Sequence, residues 1–115
     1  IVSRRINKPW GSELIWAETK NYAGKILTIK SGHKLSRQYH VKKEETIFVL
    51  YGILLIEEGK DENIIKHTLR KGETFHVKPG LVHRFCADFG DVDIIEVSTP
   101  ELDDVVRIED EYDRK

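Results

Sequence analysis

The chain holds 115 residues, 34% of them charged, with 19 Lys and Arg set against 20 Asp and Glu for a net charge of −1. That balance excludes attraction of nucleic acid by bulk charge, and no apolar run approaches the length of a membrane span. A lone cysteine, Cys86, rules out an internal disulfide and fits a reducing compartment, so a cytoplasmic protein is the expectation.

The first ten residues lack the basic-then-apolar order of a signal peptide, and the absence of any Met places Ile1 after the translation start. A chain of this length builds one core and not two, so residues 1–115 read as a single domain.

Taken in chain order, short apolar-rich runs predict strands at Glu13–Ala17, Lys25–Ile29, Leu35–His40, Thr46–Tyr51 and Gly52–Glu57. Further strands are expected at Asn63–Leu69, Thr74–Val77, His83–Ala87 and Val92–Val97. Between them stand turn signals such as Ser31-Gly32, Tyr51-Gly52, Glu58-Gly59-Lys60-Asp61, Lys78-Pro79-Gly80 and Phe89-Gly90-Asp91. Many short strands divided by glycine turns predict an all-β sandwich or barrel. Ser98–Asp104, with a capping hydroxyl, Pro100 near the first turn and acids behind it, predicts a short C-terminal helical turn ahead of an acidic tail. Within the fourth run, Ile47 and Val49 share a face with Glu45, while Phe48 and Leu50 occupy the other. A strand apolar on both faces is covered on both, either by this chain's own other sheet or by another subunit, and a homodimer is the expectation.

The chemistry concentrates in four residues. Gln38 and His40 stand two apart, so on a strand they leave the same face, and Glu45 and His83 follow on later runs. An amide oxygen, two imidazoles and a carboxylate form a donor set for a divalent metal.

Gly32, Gln38, His40, Glu45 and Gly52 reproduce the spacing of the first cupin motif, with Gln38 where cupins usually carry His. Gly72, Pro79, Gly80 and His83 resemble the second motif, with the proline one place late. The resemblance implies a cupin double-stranded β-helix, a jelly-roll barrel. Pro9-Trp10-Gly11, the Gln38-x-His40 pair, Pro79-Gly80-x-x-His83-Arg84, Ile95-Glu96-Val97 and Asp103-Asp104-Val105-Val106-Arg107 together resemble the type II phosphomannose isomerase domain. That domain also forms the C-terminal part of bifunctional enzymes that carry a mannose-1-phosphate guanylyltransferase.

This resemblance implies a metal-dependent aldose–ketose isomerase interconverting mannose 6-phosphate and fructose 6-phosphate by proton transfer through an enediol. Gln38, His40, Glu45 and His83 would then be the metal ligands, holding one divalent transition metal (Zn, Mn, Fe, Co or Ni) whose identity mixed N and O donors leave open. Two departures bear on the sugar: the family's Tyr-Gly-Arg ending reads Tyr112-Asp113-Arg114, and its His-rich stretch reads Val41-Lys42-Lys43-Glu44.

Three further residues are candidates for the catalytic work. Glu96 sits in an otherwise apolar run and is either an inward, desolvated proton shuttle or an outward edge carboxylate; the resemblance favours the shuttle. On residues alone Arg107 is a solvated charge paired with Asp104 or Glu109, whereas the resemblance brings it to the active site. The resemblance also points Lys25 inward as a phosphate or hydroxyl contact. Tyr39 and His33 are rival proton shuttles, with His33 reading as a turn residue at the mouth. His67 and His76 read as ordinary strand or surface histidines, Arg84 faces away from His83, and Trp10 and Trp16 close the barrel. Two other functions compete with the isomerase. An Fe(II) cupin dioxygenase usually carries three His and one Glu, which Gln38 argues against; a non-catalytic sugar-sensing cupin would keep the fold without turnover.

Overall fold

A computed structural model describes residues 3–114. Eleven strands run β1 (Arg4–Lys8), β2 (Gly11–Glu18), β3 (Ala23–Ile29), β4 (Arg37–Tyr39), β5 (Glu45–Tyr51), β6 (Leu54–Glu58), β7 (Ile65–Leu69), β8 (Thr74–Val77), β9 (His83–Cys86), β10 (Val92–Ser98) and β11 (Val106–Glu109). They form a six-stranded sheet in the order β1-β2-β3-β10-β5-β8 and a five-stranded sheet in the order β11-β4-β9-β6-β7. Every pairing is antiparallel. Two facing sheets with such crossovers make the all-β jelly roll that the sequence implied.

Nine of these strands lie where the glycine-punctuated runs placed them; β1 and β11 do not follow from that pattern. The expected helical turn at 98–104 is corrected. Ser98 completes β10, and the segment beyond it holds only a turn at Leu102-Asp103. The hydroxyl of Thr99, suited to capping, instead accepts from the Glu44 amide at 3.0 Å, and the Thr99 amide donates to the Glu44 carbonyl. This double clasp leaves the segment extended, and the acidic tail becomes β11, paired with β4. The one short helix among the described residues is a 3-10 turn at Asp61–Asn63, and no helix there is long and apolar enough to cross a membrane.

Inward-facing residues show how the barrel divides. Along β3 they read Lys25, Leu27, Ile29; along β5, Glu45, Ile47, Val49; along β10, Glu96, Ile94, Val92. In each strand the period-two face is apolar at one end and charged at the other. The apolar ends join Leu54, Ile56 and Phe85 of the opposite sheet in one core, where full burial of each large side chain contributes about 1.5–3 kcal/mol. The charged ends gather at the opposite mouth. At the β5–β6 hairpin, Gly52 has φ +82° and a Cβ there would lie 2.3 Å from the Asp91 carbonyl oxygen, so only glycine makes this turn without displacing backbone.

The outer face of the six-stranded sheet is also apolar. Leu14, Ile26, Ile95 and Phe48 stand at one register across β2, β3, β10 and β5. Phe48 and Leu50 are each 39% exposed, so the second face of β5 is not covered by this chain's other sheet.

Candidate metal centre and its cavity

Register places the site. Gln38 on β4 lies opposite His83 on β9 and, on its other side, opposite Arg107 on β11, so all three share the inward face. His40, two residues beyond Gln38, keeps that face as β4 ends. From the other sheet come Glu45 at the start of β5 and the cross-strand neighbours Glu96 and Lys25.

His40, Glu45 and His83 are buried, and one ligand atom from each lies within 4.8 Å of the others. His40 Nε2 is 2.8 Å and His83 Nε2 3.9 Å from Glu45 Oε1. Both imidazoles are oriented from behind: His40 Nδ1 lies 2.7 Å from the Asp104 carbonyl oxygen, and His83 Nδ1 lies 2.9 Å from that of Leu81. A carbonyl only accepts, so each Nδ1 carries a proton and each ring turns its Nε2 inward. Neither Nε2 finds a hydrogen-bond partner. Burial holds the His83 imidazolium down, with a pKa of about 4, so that ring is neutral near pH 7. Two imidazole nitrogens and a carboxylate oxygen converging on one point form a donor set that a divalent cation can bridge. The residues present therefore fit a divalent metal.

Gln38 lines the cavity beside this trio, and its Oε1 accepts from the Ser36 hydroxyl at 2.6 Å. That bond fixes the amide with its oxygen's second lone pair still available.

Glu96 faces inward and is 4% exposed, which removes the outward alternative. Its partner is a residue the sequence reading did not single out. Lys43, itself 4% exposed, places Nζ 3.0 Å from Glu96 Oε2 and 3.9 Å from Glu45 Oε1. Burial, the Glu45 charge and the bond to Glu45 raise the Glu96 carboxyl well above the usual range, against the pull of Lys43 and Lys25. Burial pushes Glu45 the same way, but His40, Glu96 and Lys43 outweigh it and hold that carboxyl low. Two neighbouring carboxyls thus have their affinities for protons driven apart.

Lys25 points inward and pairs with Glu13 at 2.9 Å, while Lys8 reaches the other oxygen of Glu13 at 3.3 Å. Neither Glu13 nor Lys8 was a sequence candidate. Arg107 lines the cavity. Nearby, Glu109 accepts from Arg37 at 2.8 Å, and Asp104 accepts from the backbone amides of residues 41–43.

Other candidates lie apart. Tyr39 faces away from Gln38 by strand parity, and His33 hydrogen-bonds the Tyr112 hydroxyl at 2.7 Å. His67 and His76 pair with Glu58 and Glu44. Arg84 does face away from the site, donating to the Leu35 carbonyl. Trp10 is buried at the cavity wall, whereas Trp16 is 48% exposed and packs over Gly24 on the outer face rather than closing the barrel. The cavity itself measures about 310 Å³.

A jelly roll whose two sheets converge on a buried His–Glu–His cluster at one mouth defines a cupin. A family model described as mannose-6-phosphate isomerase C-terminal matches residues 2–110, and the chain belongs to that family. The mannose-1-phosphate guanylyltransferase ManC of Salmonella typhimurium is 31% identical over 117 residues, covering 96% of this chain and 23% of the relative. The xanthan biosynthesis protein XanB of Xanthomonas campestris is 29% identical, covering 96% of this chain and 24% of that protein. The chain thus spans about a quarter of the length of the curated relatives it matches.

Solved structures agree on the fold. Oxalate decarboxylase from Bacillus subtilis superposes with a TM-score of 0.79 at 14% identity, covering 92% of this chain and 30% of that one. KdgF from Halomonas sp. gives 0.75 at 20% identity, covering 87% and 90%. CapF from Staphylococcus aureus gives 0.76 at 20% identity, covering 94% and 34%.

Proposed function

We propose that this cupin is a metal-dependent aldose–ketose isomerase acting on a sugar phosphate, with mannose 6-phosphate and fructose 6-phosphate as its substrates. The observation that carries this reading is the buried His40–Glu45–His83 cluster beside Glu96, an inward carboxyl of raised proton affinity, with His40 and Glu96 both lining the cavity. Family membership and the guanylyltransferase relatives support a sugar-phosphate substrate.

A divalent metal held by His40, Glu45 and His83, with Gln38 as fourth ligand, would act as a Lewis acid that polarises the sugar's carbonyl. Glu96, ionised, takes the proton from C2 of the aldose to give the enediol and returns it to C1 of the ketose. A second proton passes from O2 to O1, so no proton is gained or lost overall. Lys43 holds the Glu96 carboxylate in place through its 3.0 Å contact. Lys25 and Arg107, at the cavity wall, supply positive charge for the phosphate and the developing oxyanion. Such charged substrates stay within the cell, the compartment that the free thiol of Cys86 also fits.

Proton NMR of fructose 6-phosphate in heavy water tests the reading, with metal-reloaded protein run beside a chelated control. Deuterium entering C1 together with appearance of mannose 6-phosphate is the expected result, lost on chelation. No exchange with metal demonstrably bound would reject the phosphohexose assignment.

We also propose a homodimer built through the outer face of the six-stranded sheet, on the support of its apolar row Leu14, Ile26, Ile95 and Phe48. Light scattering should report twice the chain mass, and Phe48→Lys should return the monomer.

A further inference from the structure

A second cavity, of about 390 Å³, adjoins the metal cavity. The two share Lys8, Glu13, Lys25, Leu102 and Asp103 as walls. The second lies on the inward side of the β1–β2 hairpin, where Arg4 stands opposite Ile15 and Ile6 opposite Glu13, and Pro100 and Leu102 cover it.

The divider between the two is charged. Lys25 Nζ and Lys8 Nζ both bind the single carboxylate of Glu13, at 2.9 and 3.3 Å. Two ammonium groups on one carboxylate set paired cationic donors at the wall between the compartments, with the exposed Asp103 beside them, and Lys25 is only 8% exposed. An anionic group seated there is neutralised at a place from which it touches both spaces. The metal compartment alone lies near the small end of ligand pockets, roughly 300–1,000 Å³, and suits one sugar ring. The far compartment is lined mainly by charged groups, among them the Arg4–Glu18 pair at 2.6 Å, and none of its lining residues is aromatic. Donors and acceptors without a stacking face suit a hydroxylated group rather than a base.

The geometry points to a phosphodiester-linked sugar as the ligand class: the sugar in the metal compartment, its phosphate on Lys8–Glu13–Lys25, and a second hydroxylated group on Arg4 and Glu18. This rests on the sugar-phosphate reading of the metal cavity and extends it. A phosphate monoester ends at the divider and leaves the second compartment unused, whereas a diester spans both.

Calorimetric titration of the metal-reloaded protein with fructose 6-phosphate, with the glycerol diester of mannose 6-phosphate and with a nucleoside diphosphate hexose tests it. The glycerol diester should bind at least as tightly as the monoester, and more tightly than the nucleotide sugar. Ile6 lines only the second compartment and is 36% exposed, so Ile6→Trp should fill that space without harming the fold. It should weaken the glycerol diester about tenfold, roughly 1.4 kcal/mol, and leave the monoester within about twofold; Arg4→Ala should act in the same direction. A diester that fails to bind where the monoester binds, or whose affinity ignores both substitutions, overturns this inference and leaves the isomerase reading standing. Tighter binding of the nucleotide sugar overturns the choice of a hydroxylated group. Failure of every ligand on metal-loaded protein overturns both.

Discussion

The backbone oxygen of Asp104 lies 2.7 Å from Nδ1 of His40, while the carboxylate of the same residue accepts from the amides of Val41, Lys42 and Lys43 at 3.0, 2.7 and 2.9 Å. Asp104, two residues ahead of β11, thus sets the ring of a proposed metal ligand and clasps the loop that carries the chain from that ligand to Lys43 and Glu45. Groups that orient metal ligands from behind are typically worth about 10–100-fold in affinity. Asp104→Ala frees the loop while keeping the carbonyl, so metal affinity should fall by about tenfold with the far-ultraviolet circular dichroism unchanged. Competition against a chromophoric chelator measures it.

The same clasp has an acid signature. Three backbone N–H groups, those of Lys42, Lys43 and Val41, hold the Asp104 carboxyl down from its ordinary 3.8 to about 2. A group whose folded-state value is depressed contributes stability that is full above its unfolded value and fades as pH falls towards the folded one. The contribution of Asp104 is therefore present above about pH 4 and is lost on the way down to pH 2. Asp104→Asn should have a lower melting temperature than the parent at pH 6, and the gap should close as pH approaches 2. A gap that stays constant down to pH 2 would show that the carboxylate charge is not what the loop uses.

Metal loading should be visible in stability as well as in chemistry. An ion that binds only the folded state at a hundred times its dissociation constant adds about 2.7 kcal/mol, which for a chain of this size is a melting shift of roughly 10 °C. Chelation should reverse that shift in the parent. Glu45→Gln and His83→Ala each remove a proposed ligand and should show almost no shift on adding Zn(II) or Mn(II). Because both imidazoles must present a lone pair, affinity should also weaken as the solution is acidified. Differential scanning calorimetry with and without metal, at two pH values, reads all of this.

Strand parity, a local feature, placed Gln38 and His40 on one face, whereas the joining of Glu45 and His83 to them was legible through the resemblance to the cupin motif spacing. Lys43 was not legible. In the run Lys42-Lys43-Glu44-Glu45 it looks like a solvated charge, and its 4% exposure follows from packing against Glu96, which lies far along the chain. Its offset of two from Glu45 was the available signal. Strand β1 escaped for a related reason: Arg4, Arg5, Ile6 and Asn7 are all exposed, so its edge position erases the alternation that marks a half-buried strand. Strand β11 looked like an acidic tail because its strand character comes from pairing with β4, where Arg37 binds Glu109 and also Glu57 of β6. Pairing of that kind is tertiary and leaves little trace in local composition.

Glu96 and Lys43 have different parts in the proposed proton transfer, and substitution separates them. Glu96→Gln keeps the shape of the side chain but cannot accept a proton, so metal affinity and the melting temperature should change little. Turnover of fructose 6-phosphate should fall by about 10²–10⁴-fold, the usual contribution of a positioned base. Lys43→Met acts differently, because the ammonium of Lys43 stabilises the ionised form of Glu96. Without it, the carboxyl, already raised by burial and by Glu45, rises further. The proposed isomerisation needs Glu96 ionised, so the acidic limb of the pH–kcat profile should move to higher pH while the limiting rate at high pH is largely retained. A Lys43→Met profile that drops uniformly at every pH would assign Lys43 to holding the fold. A displaced limb with the parental plateau would assign it to tuning Glu96, an effect that loss of structure does not produce.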